Sequence, residues 1–227
     1  MVPVLRIAYG LSPALAAGTS LILVVANSAS GTIAYLRQKR VDVRLGLIIA
    51  SAGLPGSIIG AILVARISGI FFDLLFALFL FVVAFDILSN RDKRARNESA
   101  VVAGDRAMPG WRSLTTGFFV GLVSSLFGIG GGVVLMPVLL YFSALPAHSI
   151  SATSHFVIIL TSPVGLATHA IQHDVELSYA LPLVLGGLIG GPIGASLSLR
   201  LQSPMLVKLI AIAVIGAALA LVLRHFL

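Results

Sequence analysis

The chain contains no cysteine, which excludes a disulfide framework, a cysteine zinc site and thiol chemistry. Charge is scarce as well. Asp, Glu, Lys and Arg make up 10% of the 227 residues, while 58% are hydrophobic. Soluble domains are roughly a quarter charged and about half apolar, so a soluble fold would have too much apolar surface to hide. The first 30 residues are not expected to act as a secretory signal: no basic stretch precedes a short apolar core, and Arg6 stands alone.

What the chain has instead is length of apolar sequence, with a mean hydropathy of +1.08. The stretches Ile7–Leu36, Leu45–Ala65, Ser113–Ala147 and Leu177–Leu199 contain no Asp, Glu, Lys, Arg or His. About 20 apolar residues cross a hydrocarbon core as a helix, and each stretch is long enough. Ile70–Leu88, Ser149–Ile171 and Pro204–Leu223 extend the set, although they carry Asp73 and Asp86, His155 and His169, and Lys208. The expected fold is all-α, a polytopic membrane bundle of about seven segments.

The formal net charge of +7 does not point to nucleic acid, because the cations are gathered between the apolar stretches. Arg37, Lys39, Arg40 and Arg44 form one cluster, and Arg91, Lys93, Arg94, Arg96, Arg106 and Arg112 another. Such clusters mark cytoplasmic loops. With Thr115–Phe142 read as a single crossing, the preferred reading, the two halves share one orientation and the C-terminus is cytoplasmic. Read as a re-entrant hairpin broken at its glycines, the segment inverts the halves and leaves the C-terminus outside.

Shifted by 134 residues, the chain aligns with itself without a gap from Pro3 to about Ala84. Thr19/Thr153, Ser20/Ser154, Ser28/Ser162, Gly31/Gly165, Gly53/Gly187, Gly56/Gly190, Gly60/Gly194 and Arg66/Arg200 all pair, and Asp42 meets Glu176. Matched Gly, Thr-Ser and Arg positions are hard to obtain by chance. The expected organisation is a first repeat at 1–88, a polar linker at 89–112 and a second repeat at 113–227. The Gly-rich segment that opens the second half, Gly117–Met136, has no partner in the first, so the first repeat reads as lacking its first element. Gly56-x-x-x-Gly60, Gly117-x-x-x-Gly121 and Gly190-x-x-x-Gly194 suit close helix packing. Repeats of this kind build many transporters, with the solute site at their interface.

Residues Gly117–Pro137 read GFFVGLVSSLFGIGGGVVLMP, followed downstream by Ser151-Ala152-Thr153-Ser154 and echoed by Ala17-Gly18-Thr19-Ser20. This pattern resembles the sulfite exporter TauE/SafE family over nearly the whole chain. The resemblance implies a multi-pass protein of the bacterial inner membrane. It also implies transport of a small anion such as sulfite or an organosulfonate, with no cofactor, no catalytic residue and no bound metal. The lipid bilayer and the anion are the expected partners, and assembly as a homo-oligomer is compatible. A non-transporting membrane scaffold or assembly factor is the alternative.

Residue chemistry gives candidate sites independently. Gly128, Gly130, Gly131 and Gly132 are poor helix material, and unwound backbone at membrane depth is tolerated only where protein buries it or it lines a cavity. Broken helix ends then offer N–H groups to an anion. Thr19, Ser20, Thr153 and Ser154 could donate hydroxyls, and His155 could carry a coupling proton. Each has a plain structural alternative in packing or local hydrogen bonding. His169 and His173, four apart near Asp174 and Glu176, read as an interfacial loop rather than a metal site. Asp73 and Asp86 read as reaching headgroup water or a neighbouring helix. Ser124, Ser125 and His155 lack a Gly-x-Ser-x-Gly setting, which argues against a serine hydrolase.

Overall fold

A computed structural model describes residues 1–89, 108–143, 145, 147–188 and 203–223. Gly190, Gly194, Arg200 and most of the 89–112 linker lie outside the described residues. The described secondary structure is entirely helical: α1 (Val2–Ala8), α2 (Pro13–Arg37), α3 (Val43–Val64), α4 (Gly69–Ser89), α5 (Gly110–Phe127), α6 (Gly132–Phe142), α7 (Ala147–Ile171), a 3₁₀ turn (Leu177–Tyr179) leading into α8 (described over 180–188), and α9 (Ser203–Leu223). Within α2, α3, α4 and α7 lie four spans long and apolar enough to cross a membrane.

Local chemistry sets the ends. Ser12 caps α2 by accepting the Leu15 N–H, with Pro13 in the first turn, and Asp42 caps α3 through the Leu45 N–H. The helix bounds recur at the 134-residue shift: α2 maps onto α7 and α4 onto α9 at both ends.

Contacts fix the directions. In α2, Gly18 lies against His169 and Gly31 against His155 of α7, so these two helices run antiparallel. In α3 and α5 the glycines mesh in order. Gly117 meets the Ile49 carbonyl, Gly121 that of Gly53, Gly56 that of Phe118 and Gly60 that of Leu122, so α3 and α5 run parallel in close backbone contact. With no driving force to separate apolar side chains from lipid, small residues that let backbones touch supply the packing.

The single crossing expected for Thr115–Phe142 is not what the structure holds. From the end of the molecule that carries Arg44 and Arg112, α5 enters beside α3. The chain reverses over 128–131, and α6 returns until the Phe142 ring lies 5.8 Å from the Arg112 guanidinium carbon. Gly128 and Gly130, at φ +61 and +69, adopt the left-handed conformation that L side chains resist, and they turn one apolar stretch into a re-entrant hairpin. Its two ends share the basic side, so α2 and α7 point in opposite directions.

Two buried clusters flank this core. One joins Val2, Leu5, Val64, Phe72, Phe76, Leu126 and Phe127, with Phe76 stacked on Phe127 at 4.9 Å. The other joins Ile49, Val120, Leu135, Leu139, Ile150 and Val157. Between α1 and α4, Arg6 donates to both carboxylate oxygens of Asp73 (2.9 Å to Oδ1) and to the Leu11 carbonyl (2.7 Å). Asp73 does reach a neighbouring helix, but it is fully buried there.

Candidate functional site

The polar residues singled out above separate into three levels along the antiparallel pair α2 and α7. Thr19 and Tyr35 are 16 positions apart on α2, or about 24 Å at 1.5 Å per residue, so the outer two levels lie near opposite ends of the helix.

At the middle level sits the glycine break. A side chain at Gly130 would strike Val24, and one at Gly132 would meet Ile158, so the break rests on two residues related by the 134-residue shift. Gly131 packs against Val120. The first turn of α6 begins here, inside the protein. One turn beyond Ile158 on the same face of α7 lies Ser162, which is buried with no partner for its hydroxyl. Its counterpart Ser28, one turn beyond Val24, bonds back to the Val25 carbonyl, the usual fate of a membrane serine. Ser162 was visible in the sequence only as half of a matched pair.

At the end opposite the basic loops, Thr19, Ser20, the C-terminus of α5 and the loop after α7 converge. The Ser20 hydroxyl donates to the Gly128 carbonyl at 2.6 Å, and the Glu176 N–H donates to Thr19 Oγ1 at 2.9 Å. His169 is fully buried rather than interfacial. Its Nε2 lies 3.1 Å from the Ser125 carbonyl, and Nδ1 has no partner. Ser124 Oγ, Ser125 Oγ and Asp174 Oδ2 are also buried without partners. Burial raises the Asp174 carboxyl above the ordinary carboxylate range, partly offset by the charges of His169 and His173.

At the basic end, Thr153, Ser154 and His155 lie near the start of α3. The Asp42 N–H donates to Thr153 Oγ1 at 3.0 Å, repeating the Glu176–Thr19 bond with the halves exchanged. In both places an acidic residue caps the following helix with its carboxylate while its own N–H is taken by a threonine of the other half. These threonines therefore serve as acceptors that tie the halves together. Ser154 is buried and unpartnered, although its counterpart Ser20 is bonded to the hairpin. His155 Nδ1 lies 3.0 Å from the Ser151 carbonyl of its own helix, and its ring meets Tyr35 edge-on at 5.3 Å.

His155 is thus placed against α2 at the basic end, while Ser125 meets His169 through a carbonyl at the other. The structure does not assemble Ser124, Ser125 and His155 into a nucleophile and base. Among the described residues, no group of three or more His, Asp and Glu side chains is placed to hold a metal.

The model of the family "Sulfite exporter TauE/SafE" matches residues 1–221, and the chain belongs to it. A "Probable membrane transporter protein YunE" of Bacillus subtilis is 31% identical over 90% of this chain and 79% of its own length. A "Probable membrane transporter protein" of Xylella fastidiosa is 28% identical over 99% of this chain and 86% of its own. No solved structure matches the chain. It is a multi-pass membrane protein of a transporter family.

Proposed function

We propose that this member of the TauE/SafE family moves a small anion, sulfite or an organosulfonate, across the bacterial inner membrane. The observation that carries the reading is the glycine break. Backbone is unwound deep inside the protein, on the repeat-related residues Val24 of α2 and Ile158 of α7. The exposed N–H groups and positive dipole end of α6 favour an anion there, and the buried Ser162 hydroxyl offers a further donor. No Lys or Arg occurs between Ser113 and Ala147, so the anion is held by neutral donors and can leave again.

The halves, 1–88 and 113–227 about the linker 89–112, read as inverted repeats. Antiparallel α2 and α7 and the exchanged Thr–acid bonds support that relation, which is the architecture of alternating access around a fixed central site. Positive-inside places Arg37–Arg44 and Arg112 in the cytoplasm. Thr19 and Ser20 then flank the outward path, and Thr153, Ser154 and His155 the inward one. Gly130, Gly131 and Gly132 lie between, with Gly128 at the outward level against Ala17 and Ser20. No catalytic step is part of this reading.

Flux in proteoliposomes is the direct test, comparing sulfite with an organosulfonate, with and without a pH gradient. Uptake that a pH gradient accelerates supports proton-coupled anion transport. Correctly folded protein that moves neither anion rules the reading out and leaves a membrane scaffold in its place.

A further inference from the structure

We infer that the Asn27 carboxamide is an anion ligand, placed on α2 one turn from the glycine break on the side of the basic loops. Its part in carrying the anion rests on the transport reading above.

The neighbours of Asn27 settle where it lies. On a helix, residues three and four positions apart share a face; for Asn27 these are Leu23, Val24, Ser30 and Gly31. Gly187 of α8 packs against Leu23 and Ala26, Gly130 of the hairpin against Val24, and Gly31 against the His155 ring of α7. Position 27 is therefore bracketed by α8, the hairpin and α7, inside the bundle rather than on its lipid face. The Ser30 hydroxyl is turned back to the Asn27 backbone carbonyl at 3.0 Å and leaves the side chain alone.

That side chain is half-buried, and among the described residues its carboxamide has no hydrogen-bond partner. Hydroxyl side chains of this bundle meet the same problem by bonding to their own helix, as Ser28, Ser57, Thr161 and Thr168 do. Enclosing a carboxamide with nothing to bond is costly. Polar side chains inside a membrane bundle mark solute paths.

The 134-residue shift isolates the feature. Asn27 pairs with Thr161, which is buried, donates to the Val157 carbonyl at 3.0 Å and seals against Gly53 of α3. The equivalent seal would set Gly187 against Asn27. Gly187 lies instead against Leu23 and Ala26, and the carboxamide stays half-exposed. The central level is thus closed at Thr161 and open at Asn27. An anion seated on the hairpin beside Val24 meets the next turn of α2 at this carboxamide. Its two N–H donors carry no net charge, which suits an oxyanion that must be released again.

Two measurements on the full chain in proteoliposomes test the assignment. The first is flux of sulfite or ethanesulfonate, whichever the parent carries. Asn27→Asp keeps the size but replaces the donors with a like charge, so KM should rise by about tenfold or more. Asn27→Ser keeps one donor and should fall between. Neither should lower the unfolding temperature, because the carboxamide bonds nothing in the protein. An unchanged KM, or a lost maximal rate that merely follows a lowered unfolding temperature, overturns the assignment. The second uses the absence of cysteine. A small anionic methanethiosulfonate reagent should label Asn27→Cys faster than a cationic one of the same size, and neither should label Thr161→Cys. No labelling at position 27, no preference for the anion, or equal labelling at both positions also overturns it. Anion-preferring labelling in a protein without flux keeps Asn27 as an anion ligand and removes the transport reading; flux with an unchanged KM in Asn27→Asp does the reverse.

Discussion

The Asp42 backbone N–H donates to the Thr153 hydroxyl at 3.0 Å, and the same bond recurs between Glu176 and Thr19 at 2.9 Å. Each joins the start of a helical segment in one half to the Thr-Ser pair of the other. Thr19→Val or Thr153→Val keeps the volume and removes the acceptor, leaving a part-buried N–H unpaired at a cost of about 1–3 kcal/mol. The two variants should lower thermal stability in detergent by similar amounts, because the bonds are equivalent. A large loss from one and none from the other would show that the two ends are not held alike.

Arg6 and Asp73 form a buried ion pair with side-chain exposures of 5% and 0%. Removing one partner strands a charge, which costs about 3–5 kcal/mol in a buried setting. Arg6→Gln is therefore expected to reduce the folded yield and the unfolding temperature strongly. Arg66→Gln, at an exposed position after α3, is expected to change either by little. Comparable losses from the two would mean that the Arg6 pair is not a structural bond.

Much of this was legible in the sequence. Apolar length locates α3, α4, α7 and α9, and the bounds of α2 and α7, and of α4 and α9, coincide at the 134-residue shift. The matched acids Asp42 and Glu176 point to the right positions for the exchanged bonds, in which Thr153 and Thr19 accept while each keeps a hydroxyl hydrogen to donate. Direction was not legible. An apolar run such as Thr115–Phe142 is long enough for one crossing, and nothing in its hydropathy separates a crossing from a hairpin. Only the left-handed Gly128 and Gly130 make that choice. The burial of His169 is not legible in the sequence, because the residue lies two positions from the end of α7, where solvent is the default. Its burial comes from the facing Gly18, which has no side chain to hold the ring away. Arg6 and Asp73 lie 67 positions apart, beyond any local pattern.

Gly130 combines a φ of +69° with direct contact to Val24. Gly130→Ala therefore suffers two faults: a left-handed conformation costing about 1–2 kcal/mol and a clash with the Val24 methyl. Adding Val24→Ala removes only the clash. Flux should be lost in the single variant and partly return in the double one, with membrane insertion unchanged in both. Normal flux in Gly130→Ala would take the break out of the anion path.

Asp174 gives a pH dependence with a definite sign. Burial raises its carboxyl above the ordinary value, against the smaller opposing pull of His169 and His173. The folded chain therefore keeps this proton to a higher pH than the unfolded chain, where the carboxyl titrates near about 3.9. In the window between those two values the folded state binds more protons, so stability falls as pH rises. Above the folded value the loss is complete and constant. Asp174→Asn has no proton to lose and escapes this fall. The unfolding temperature of the variant relative to the parent, measured in detergent, should climb as pH rises from about 4 and then level off. A difference that stays constant across that window would show that Asp174 titrates as an ordinary solvated carboxylate, its burial without consequence.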